Sequence, residues 1–330
     1  MLNAMRRRAL LALGAALSLR PVLALPQSNP RIAFVSSNGR ADIPGPREAF
    51  LQGLRDHGYV EGRTITIEWR FAERRSERLA ELAAEIVASK PALIVAETTP
   101  AVRAAKHATS SIPIVMAAVA DAVGSGLVAS LARPGANVTG MSFLGTELVA
   151  KRLELLKQAL PAVKNVTALR HLGAHGEATV QRMHEETEQA ARALGMGLSV
   201  LSARTAADLA PLFEKISREA NAAVLVWPSP MFLAERSQMV RLAAGRKVPA
   251  IYYLRDYVDV GGLMSYGPNF AGVFRRSAAF VAKILKGAKP GDLPIEQPAT
   301  FEFVVNLITA STLGLTIPDS VLVRADGVVR

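Results

Sequence analysis

Residues 79–96, LAELAAEIVASKPALIVA, contain a helix-then-strand pattern from which the fold class can be predicted. In its first part, apolar side chains recur at positions i, i+3, i+4, i+7 and i+8, which places them on one face of a helix: Leu79, Leu82, Ala83, Ile86 and Val87. The short apolar run 92–96 that follows is typical of a buried strand. Helices alternating with short strands are the repeating unit of a parallel sheet covered by helices, so this stretch predicts an α/β fold.

The same alternation runs through most of the chain. In the first half we predict strands at 32–36, 64–70, 92–96 and 112–116, and helices at 44–57, 76–89 and 100–109. Turn residues at 133–137, RPGAN, interrupt the pattern before a strand at 138–143 and a helix at about 146–160. Strands at 165–170, 197–202, 222–227 and 249–252 then alternate with helices at 177–195, 206–219 and 231–245. The chain therefore predicts two similar lobes.

Two stretches predict crossings between the lobes. The first lies near 133–143, and the second is GGLMSYGPN at 261–269, followed by a helix at 270–286 and a strand at 301–306. Two separated crossings make a hinge. We assign 31–140 and 267–295 to the first lobe, 145–263 to the second, and 296–330 to a segment that completes the lobes.

Residues 1–24 have the features of a secretory signal peptide. Arg6, Arg7 and Arg8 precede the apolar run 9–19, and small or aliphatic residues end the segment at 22–24. An apolar run of about 11 residues is shorter than the ~20 that a membrane-spanning helix needs. We expect cleavage near Ala24 and export of a soluble protein to the periplasm. Ordinary secretion is preferred, with twin-arginine export left open.

Composition excludes several functional classes. The 330-residue chain has no cysteine, which excludes disulfides, thiol nucleophiles, cysteine metal sites and a lipid-modified cysteine. Loss of residues 1–24 removes four arginines and lowers the formal net charge from +11 to +7. The remaining positive charges are scattered among acids, as in 70–78, without aromatic side chains that stack on bases. We therefore expect no nucleic-acid partner.

Catalytic and cofactor motifs are absent from the sequence. It has no Gly-x-Ser-x-Gly elbow, phosphate-binding loop, Gly-x-Gly-x-x-Gly after a strand, or His-Glu-x-x-His. His171, His175 and His184 form a cluster, which we interpret as solvated histidines rather than metal ligands. We expect a protein that is not an enzyme and that needs no cofactor or metal.

The loops after the predicted strands are the candidates for a binding site, because ligands of open α/β sheets lie beyond the carboxyl ends of the strands. These loops contain Ser36, Ser37, Glu97, Thr98, Thr99 and Asp121 in the first half, and His171, Trp227, Tyr252 and Asp256 in the second. Thr99 can face a ligand or cap a helix, and Asp121 can receive an amine or cap a helix. Trp227 fits either a cleft wall or a lobe core.

A series of ordered blocks resembles a known family. The blocks are RDHGYVEGR at 55–63, IPIV at 112–115, GLVASLARPG at 126–135, NVTG at 137–140, KRLELLK at 151–157 and GLMSYG at 262–267. Together they resemble the ABC-transporter substrate-binding proteins with a type I periplasmic-binding fold, the group that includes tryptophan- and tyrosine-binding members. The resemblance covers residues 31–326.

This resemblance implies two Rossmann-like lobes with parallel sheets, a multi-strand hinge, and a cleft that closes on a small molecule. It also implies an ABC permease in the membrane as partner, and we expect a monomer. By the resemblance, the cleft positions are Ser36, Ser37, 97–99, Asp121, Trp227 and Tyr252, with Tyr266 near a crossing.

The sequence departs from its relatives within these positions. It has Glu97-Thr98-Thr99-Pro100-Ala101 where many have Ser-Gly-Thr-Pro-Ala, Asp121-Ala122-Val123 where many have Asp-Pro-Val, and Arg170-His171-Leu172 in place of a Trp-Asn-Pro-like turn. The ligands of relatives therefore transfer poorly.

Glu97 and Asp121 in one cleft favour a ligand with an ammonium group. We expect an amino acid or an amine-bearing apolar compound, with its carboxylate held by Thr98, Thr99 and helix N-termini. Trp227 and Tyr252 would contact its side chain. Two alternatives stay open: a ligand receptor read by a signalling partner and, more weakly supported, an exported hydrolase.

Overall fold

The structure, a computed structural model, describes residues 29–143 and 148–330. Its strands are β1 (Arg31–Ser36), β2 (Thr66–Phe71), β3 (Leu93–Glu97), β4 (Ile114–Val119), β5 (Val138–Ser142), β6 (Asn165–His171), β7 (Gly197–Ala203), β8 (Ala222–Val226), β9 (Ala250–Tyr252), β10 (Met264–Pro268), β11 (Phe301–Asn306) and β12 (Gly327–Val329). The predicted signal peptide lies outside the described residues, as does the start of the helix predicted from 146.

The helices connect these strands in the expected alternation. They are α1 (Pro44–Asp56), α2 (Leu79–Ser89), α3 (Thr99–Ala108), α4 (Leu148–Ala159), α5 (Glu177–Ala193), α6 (Leu209–Ile216), α7 (Pro230–Ala234), α8 (Arg236–Gly245), α9 (Phe270–Leu285), α10 (Leu307–Thr312) and α11 (Asp319–Leu322). The helix predicted at 231–245 is two helices, because Glu235 ends α7 and precedes α8 with non-helical backbone angles. Within the described ranges, no helix is long and apolar enough to cross a membrane.

The first lobe is built on a parallel sheet with strand order β2-β1-β3-β4-β5. Alternate side chains of β1 enter two different cores. Ile32 and Phe34 pack on the face covered by α1 and α9, whereas Ala33 and Val35 pack on the face covered by α2 and α3. The apolar stripe of α2 predicted from the sequence lies in this second core.

The second lobe has the strand order β12-β11-β10-β9-β8-β6-β7. All neighbouring strands are parallel except β10 and β11, which pair antiparallel. Apolar residues of α4 and α5 cover one face of this sheet, and those of α6 and α8 cover the other. The α/β fold with two parallel-dominated sheets is therefore confirmed.

The chain passes between the two sheets three times, once more than the turn residues predict. The first crossing leads from β5 to α4, and the second leads from β10 to α9. The third leads to β11 from a segment that lies beside β5, where the carbonyl of Glu296 accepts the N–H of Ser142. The stretch at 261–269 contains β10 itself, because antiparallel pairing with β11 makes this turn-like sequence a strand. The exact lobe boundaries stay a prediction.

Candidate functional site

A cavity lies between the lobes, at the carboxyl ends of both sheets. The space free of protein atoms there is about 390 Å³, which includes space open to solvent. The first lobe contributes Asn38, Glu97, Thr98, Thr99, Ala118, Ala120, Phe143 and Phe270, and the second contributes Ala174, His175, Pro228, Ser229, Pro230, Leu233 and Tyr253. A mostly apolar wall with a few polar groups is typical of a small-molecule site.

Glu97 is the acidic side chain of this wall. It ends β3, and its side chain is buried, with the residue only 2% exposed. The Ser36 hydroxyl donates to Oε2 of Glu97. The Asn38 side-chain amide lies 3.1 Å from each carboxylate oxygen. Both of these partners are neutral side chains, so neither of them supplies a positive charge to balance an ionised Glu97.

Burial raises the pKa of Glu97 from 4.5 to about 7, because water is excluded from the charged form. Hydrogen bonds from Ser36 and Asn38 oppose this effect, and the nearby Asp42 carboxylate adds to it. The additional acid is therefore Asp42, not the Asp121 expected from the sequence. A cation placed in the cavity would favour the ionised form of Glu97.

Thr98 joins Glu97 to the start of α3 in an unusual backbone conformation. Its φ of 80° and ψ of 148° lie in a region that glycine adopts far more readily than threonine. The Thr98 hydroxyl lies 2.8 Å from that of Ser37 and accepts the N–H of Ala101 at 3.4 Å. Thr98 thus caps α3, and Thr99 is the first helical residue, followed by Pro100.

The second lobe presents polar groups that are largely fixed to one another. The Tyr253 hydroxyl donates to the Ser229 carbonyl at 2.8 Å, and the Ser229 N–H lies 3.3 Å from the same hydroxyl oxygen. The Ser229 side chain caps α7 through the N–H of Phe232. Nε2 of His175 lies 2.7 Å from the Pro228 carbonyl oxygen. The polar groups of this wall are therefore already hydrogen-bonded within the protein.

Aromatic and aliphatic side chains complete the wall. Phe143 and Phe270 meet edge to face with ring centroids 6.0 Å apart. Leu233 and Pro230 face them from α7 of the second lobe. These surfaces suit the apolar body of a ligand rather than a sugar-like polyol.

Of the residues predicted from the sequence, Glu97, Thr98 and Thr99 line the cavity. Ser36, Ser37 and His171 lie one layer behind it. Ser36 and Ser37 hydrogen-bond Glu97 and Thr98, and Nδ1 of His171 lies 3.0 Å from the Ser229 hydroxyl oxygen.

Asp121 joins the lobes rather than lining the cavity. Its Oδ1 accepts the N–H of Gly124 at 2.8 Å, and its Oδ2 accepts the hydroxyl of Thr179 on α5 at 3.1 Å. Arg182 of the same helix lies 3.4 Å from Oδ2. Asp121 thus forms its own loop turn and an inter-lobe contact at once.

Four other predicted residues lie away from the cavity lining. Trp227 is 1% exposed and packs in the core of the second lobe, so of its two predicted positions it occupies the lobe core and not the cleft wall. Tyr252 is buried and stacks on Tyr257 with centroids 4.5 Å apart. Asp256 lies in a 3-10 turn at Arg255–Tyr257, where burial raises its pKa, and Tyr266 on β10 packs near Phe301.

A second inter-lobe contact lies beyond β2. Arg74 donates to Asp42 of its own lobe with Nε and Nη2, and its Nη1 lies 2.9 Å from Oε1 of Glu235 in the second lobe. Burial raises the pKa of Asp42, but hydrogen bonds from Arg74 and Gly39 hold it below its ordinary value. The strand order places this contact and that of Asp121 on either side of the loops that carry Asn38 and Glu97.

The sequence reasoning missed several lining residues, notably Asn38, Phe143, His175, Ser229 and Tyr253. All of them follow strands or lie in strand-end loops, so the rule that predicted Glu97 also applied to them. Ser229 had a further signal, since a serine before Pro230 is a typical helix cap.

Metal coordination has no candidate here: in the part of the chain that the structure describes, no three His, Asp or Glu side chains are grouped to hold an ion.

The fold and the cavity define a class: two-lobed binding proteins that enclose a small molecule between parallel sheets. The sequence profile of the family described as ABC transporter substrate binding protein matches residues 32–329. The chain belongs to this family and is a substrate-binding protein of the ABC-transporter type, with the type I periplasmic-binding fold. Members of the family bind substrates and are not enzymes.

Individual relatives agree with this assignment. A tyrosine-binding protein from Clostridioides difficile (strain R20291) is 29% identical over 273 residues, which cover 82% of this chain and 76% of that protein. A conserved domain protein from Vibrio cholerae O1 biovar eltor str. N16961 superposes with a TM-score of 0.85 at 29% identity, covering 91% of this chain and 100% of that one. The ABC domain in complex with L-Trp from Streptococcus pneumonia gives a TM-score of 0.84 at 27% identity, covering 92% and 100%.

Proposed function

We propose that this chain binds an aromatic or other apolar amino acid in the inter-lobe cavity. The protein would be exported and would deliver the ligand, as a monomer and without chemical change, to an ABC permease. The observation that carries the ligand proposal is the buried carboxyl group of Glu97 in the cavity wall, hydrogen-bonded only by neutral side chains among its described partners.

A ligand ammonium group is the partner that this carboxylate favours. Without a cation, burial holds the pKa of Glu97 at about 7, so much of the group is protonated at neutral pH. An ammonium group brings both the missing charge and N–H donors, and hydrogen bonds between charged groups are stronger than neutral ones. Binding should therefore release a proton from Glu97 near pH 7.

The rest of the wall supports an amino acid with an apolar side chain. Phe143, Phe270 and Leu233 offer apolar surface, and Thr99 begins α3, whose helix dipole favours a carboxylate. The two relatives named for tyrosine and for bound L-Trp are consistent with a ligand of this chemistry. Export is supported by the sequence of residues 1–24, and delivery to a permease by the family.

Native mass spectrometry of the purified protein, followed by identification of any co-purified small molecule, tests the proposal. We expect one amino acid per chain, and a rise in melting temperature when aromatic amino acids are added to ligand-free protein. Glu97→Gln should lose this rise, whereas Glu81→Gln, on the exposed face of α2, should keep it. An empty protein without a thermal shift across all amino acids would contradict the ligand proposal but not the family.

A further inference from the structure

We propose that Arg74 is a positioning residue for the ligand site: through Asp42 it orders the loop that carries Asn38, and its positive charge sets the pH at which the Glu97 carboxylate becomes available to a cationic group. This inference rests on the proposed function, in which Glu97 receives the ammonium group of the ligand. Arg74 itself lies outside the cavity lining. It connects two adjacent loops, 37–42 after β1 and 72–75 after β2.

Arg74 joins these two loops with both its backbone and its side chain. Its N–H donates to the Ser37 carbonyl at 2.9 Å. Its Nε donates to Oδ2 of Asp42 at 2.9 Å, and its Nη2 donates to Oδ1 of the same carboxylate. Two guanidinium nitrogens on two oxygens of one carboxylate fix the orientation of both side chains. Asp42 is only 7% exposed, so its carboxylate is held in one place.

Asp42 connects this ion pair to the wall of the cavity. Its Oδ2 also accepts the N–H of Gly39 at 2.8 Å, which fixes the backbone next to Asn38. The Asn38 side-chain amide lines the cavity and lies 3.1 Å from each carboxylate oxygen of Glu97. Arg74 therefore acts on Glu97 through Asp42 and Asn38 and not by direct contact.

The backbone conformation at this position favours glycine rather than arginine. Arg74 has a φ of 65°, and the preceding Glu73 has a φ of 51°. Glycine adopts these left-handed angles more readily than a residue with a side chain. The Glu73 carboxylate adds a further link between the loops, because it accepts the N–H of Arg40 at 3.4 Å. What arginine brings to the turn, and glycine would not, is the pair of side-chain contacts with Asp42 and Glu235.

The charge of Arg74 has a second effect on the site. Burial is the main cause that raises the pKa of Glu97 to about 7, and the Asp42 carboxylate adds to it. Burial also raises the pKa of Asp42, but hydrogen bonds from Arg74 and Gly39 hold it below its ordinary value. Asp42 is therefore ionised at neutral pH, and Arg74 offsets its charge. Without Arg74, Asp42 would oppose the ionisation of Glu97 more strongly, because like charges near each other disfavour ionisation.

The remaining charged and titratable groups around this pair have smaller effects. In the described chain, the cations that lower the pKa of Asp42 are Arg74 and, more weakly, Arg236 of α8. Across the cavity, burial lowers the pKa of His175 and raises that of Tyr253, so both side chains are neutral near pH 7. Arg74 is therefore the main positive charge that opposes the effect of Asp42 on Glu97.

Carbon-13 NMR of ligand-free protein labelled at the glutamate Cδ carbons follows the ionisation of Glu97 directly. The Glu97 resonance is the one that is missing from Glu97→Gln. We expect a midpoint near pH 7 in the wild type. Asp42→Asn removes the neighbouring negative charge and should lower the midpoint, whereas Arg74→Gly removes the compensating positive charge and should raise it by at least ~0.5 pH. A general loosening of the structure would not shift the two variants in opposite directions.

Arg74→Gly is expected to fold, because glycine adopts a φ of 65° without strain and keeps the backbone hydrogen bond to Ser37. Circular dichroism and melting temperature establish this for each variant. Glu235→Gln separates the role of Arg74 at Asp42 from its contact with the second lobe. It removes the inter-lobe ion pair but leaves the pair of Arg74 with Asp42, so it should keep the wild-type midpoint.

Arg192→Gln is the matched control for the loss of one positive charge, because Arg192 pairs with Glu188 on the exposed face of α5. It should also keep the wild-type midpoint. An unchanged Glu97 midpoint in folded Arg74→Gly, or shifts of the same direction in Arg74→Gly and Asp42→Asn, would overturn the role of Arg74.

Titration calorimetry with L-tyrosine at several pH values between 6 and 8 measures the consequence for binding. The rise in tyrosine affinity with pH should be centred at a higher pH in Arg74→Gly than in the wild type, because binding uses the ionised Glu97. An identical pH profile in the two proteins would count against the role of Arg74 in binding. Failure of the wild type to bind any aromatic or apolar amino acid would contradict the proposed function instead, and the NMR titration, which needs no ligand, would still decide whether Arg74 controls Glu97.

Discussion

Thr179 of the second lobe donates its hydroxyl to the carboxylate of Asp121 in the first lobe at 3.1 Å, so the lobes are joined directly beside the cavity. The same carboxylate accepts the N–H of Gly124 and lies 3.4 Å from Arg182. We expect this contact to break when the cleft opens, because its two partners lie on different lobes. We therefore expect Asp121 to act on ligand affinity through closure, because contacts that favour the closed form raise the population that holds the ligand.

Asp121→Asn should weaken ligand binding by about fivefold, equivalent to about 1 kcal/mol, without changing which ligand is preferred. The new amide can still accept from Gly124 but loses the negative charge that attracts Arg182. Titration calorimetry measures the affinity, and small-angle X-ray scattering measures the closed fraction. Asp259→Asn, in an exposed pair with Arg255, is the control. A changed ligand preference would show instead that Asp121 contacts the ligand.

Glu235→Gln should weaken ligand binding less than Asp121→Asn does, and the loss of affinity should depend on salt concentration. Arg74 is 46% exposed in its ion pair with Glu235, so solvent and salt screen the attraction. We expect a loss of less than ~1 kcal/mol in ligand binding at low salt and almost none at 0.5 M salt. The variant leaves the pair of Arg74 with Asp42 in place. An equal loss at both salt concentrations would exclude an electrostatic role.

The stability of the ligand-free protein should fall as the pH rises through the range in which Glu97 titrates. Its pKa is raised to about 7 in the folded protein from 4.5, so between these values the folded state binds more protons than the unfolded state. The free energy of unfolding then decreases from about pH 4.5 to about pH 7, by up to ~3 kcal/mol from this group. Below pH 4.5 the contribution of Glu97 to the free energy of unfolding is fully present, and above pH 7 it has been lost.

Urea unfolding of the wild type and Glu97→Gln between pH 5 and 8 measures this slope. The variant cannot ionise at this position, so its unfolding free energy should fall less over the range. Parallel pH profiles for the two proteins would contradict the assignment of the raised pKa to Glu97. Addition of an amino-acid ligand should stabilise the wild type more at pH 8 than at pH 5.5, because binding uses the ionised carboxylate.

Thr98→Gly should be at least as stable as the wild type, although it removes a helix cap. The φ of 80° at Thr98 strains a side-chain-bearing residue by about 1–3 kcal/mol, and glycine avoids this strain. Thr98→Ala keeps the strain and loses the contacts with Ser37 and Ala101, so it should be destabilised by about 1–2 kcal/mol. Thermal unfolding of the three proteins compares them. Equal destabilisation of both variants would indicate that the residue is not strained.

Most of the fold could be predicted because helical and strand periodicities alternate clearly along the chain. The stripe of Leu79 to Val87 and the strand that follows it both lie where the pattern places them. β10 was missed, because Gly261, Gly262 and Gly267 are typical of turns and its strand character comes from pairing with the distant β11. Pairing partners far along the chain are not visible in local sequence.

The site could be predicted only in part, for a geometric reason. The rule that ligands bind beyond strand ends predicted Glu97, Thr98 and Thr99, which line the cavity. It does not say which of two adjacent side chains faces the cleft, since neighbours on a strand point to opposite faces. Tyr253 lines the cavity while Tyr252 packs on Tyr257, and Trp227 packs in the core with Leu225.

The proposed contact between Glu97 and the ligand's ammonium group can be tested with two ligands that differ only in that group. Calorimetric titration at pH 8 compares L-tyrosine with 3-(4-hydroxyphenyl)propionate, which lacks only the amino group. We predict that the wild type binds tyrosine at least ~10-fold more tightly, and that Glu97→Gln binds the two compounds with similar affinity. Equal binding of both compounds by the wild type, or an unchanged preference in folded Glu97→Gln, would show that Glu97 does not hold the ammonium group.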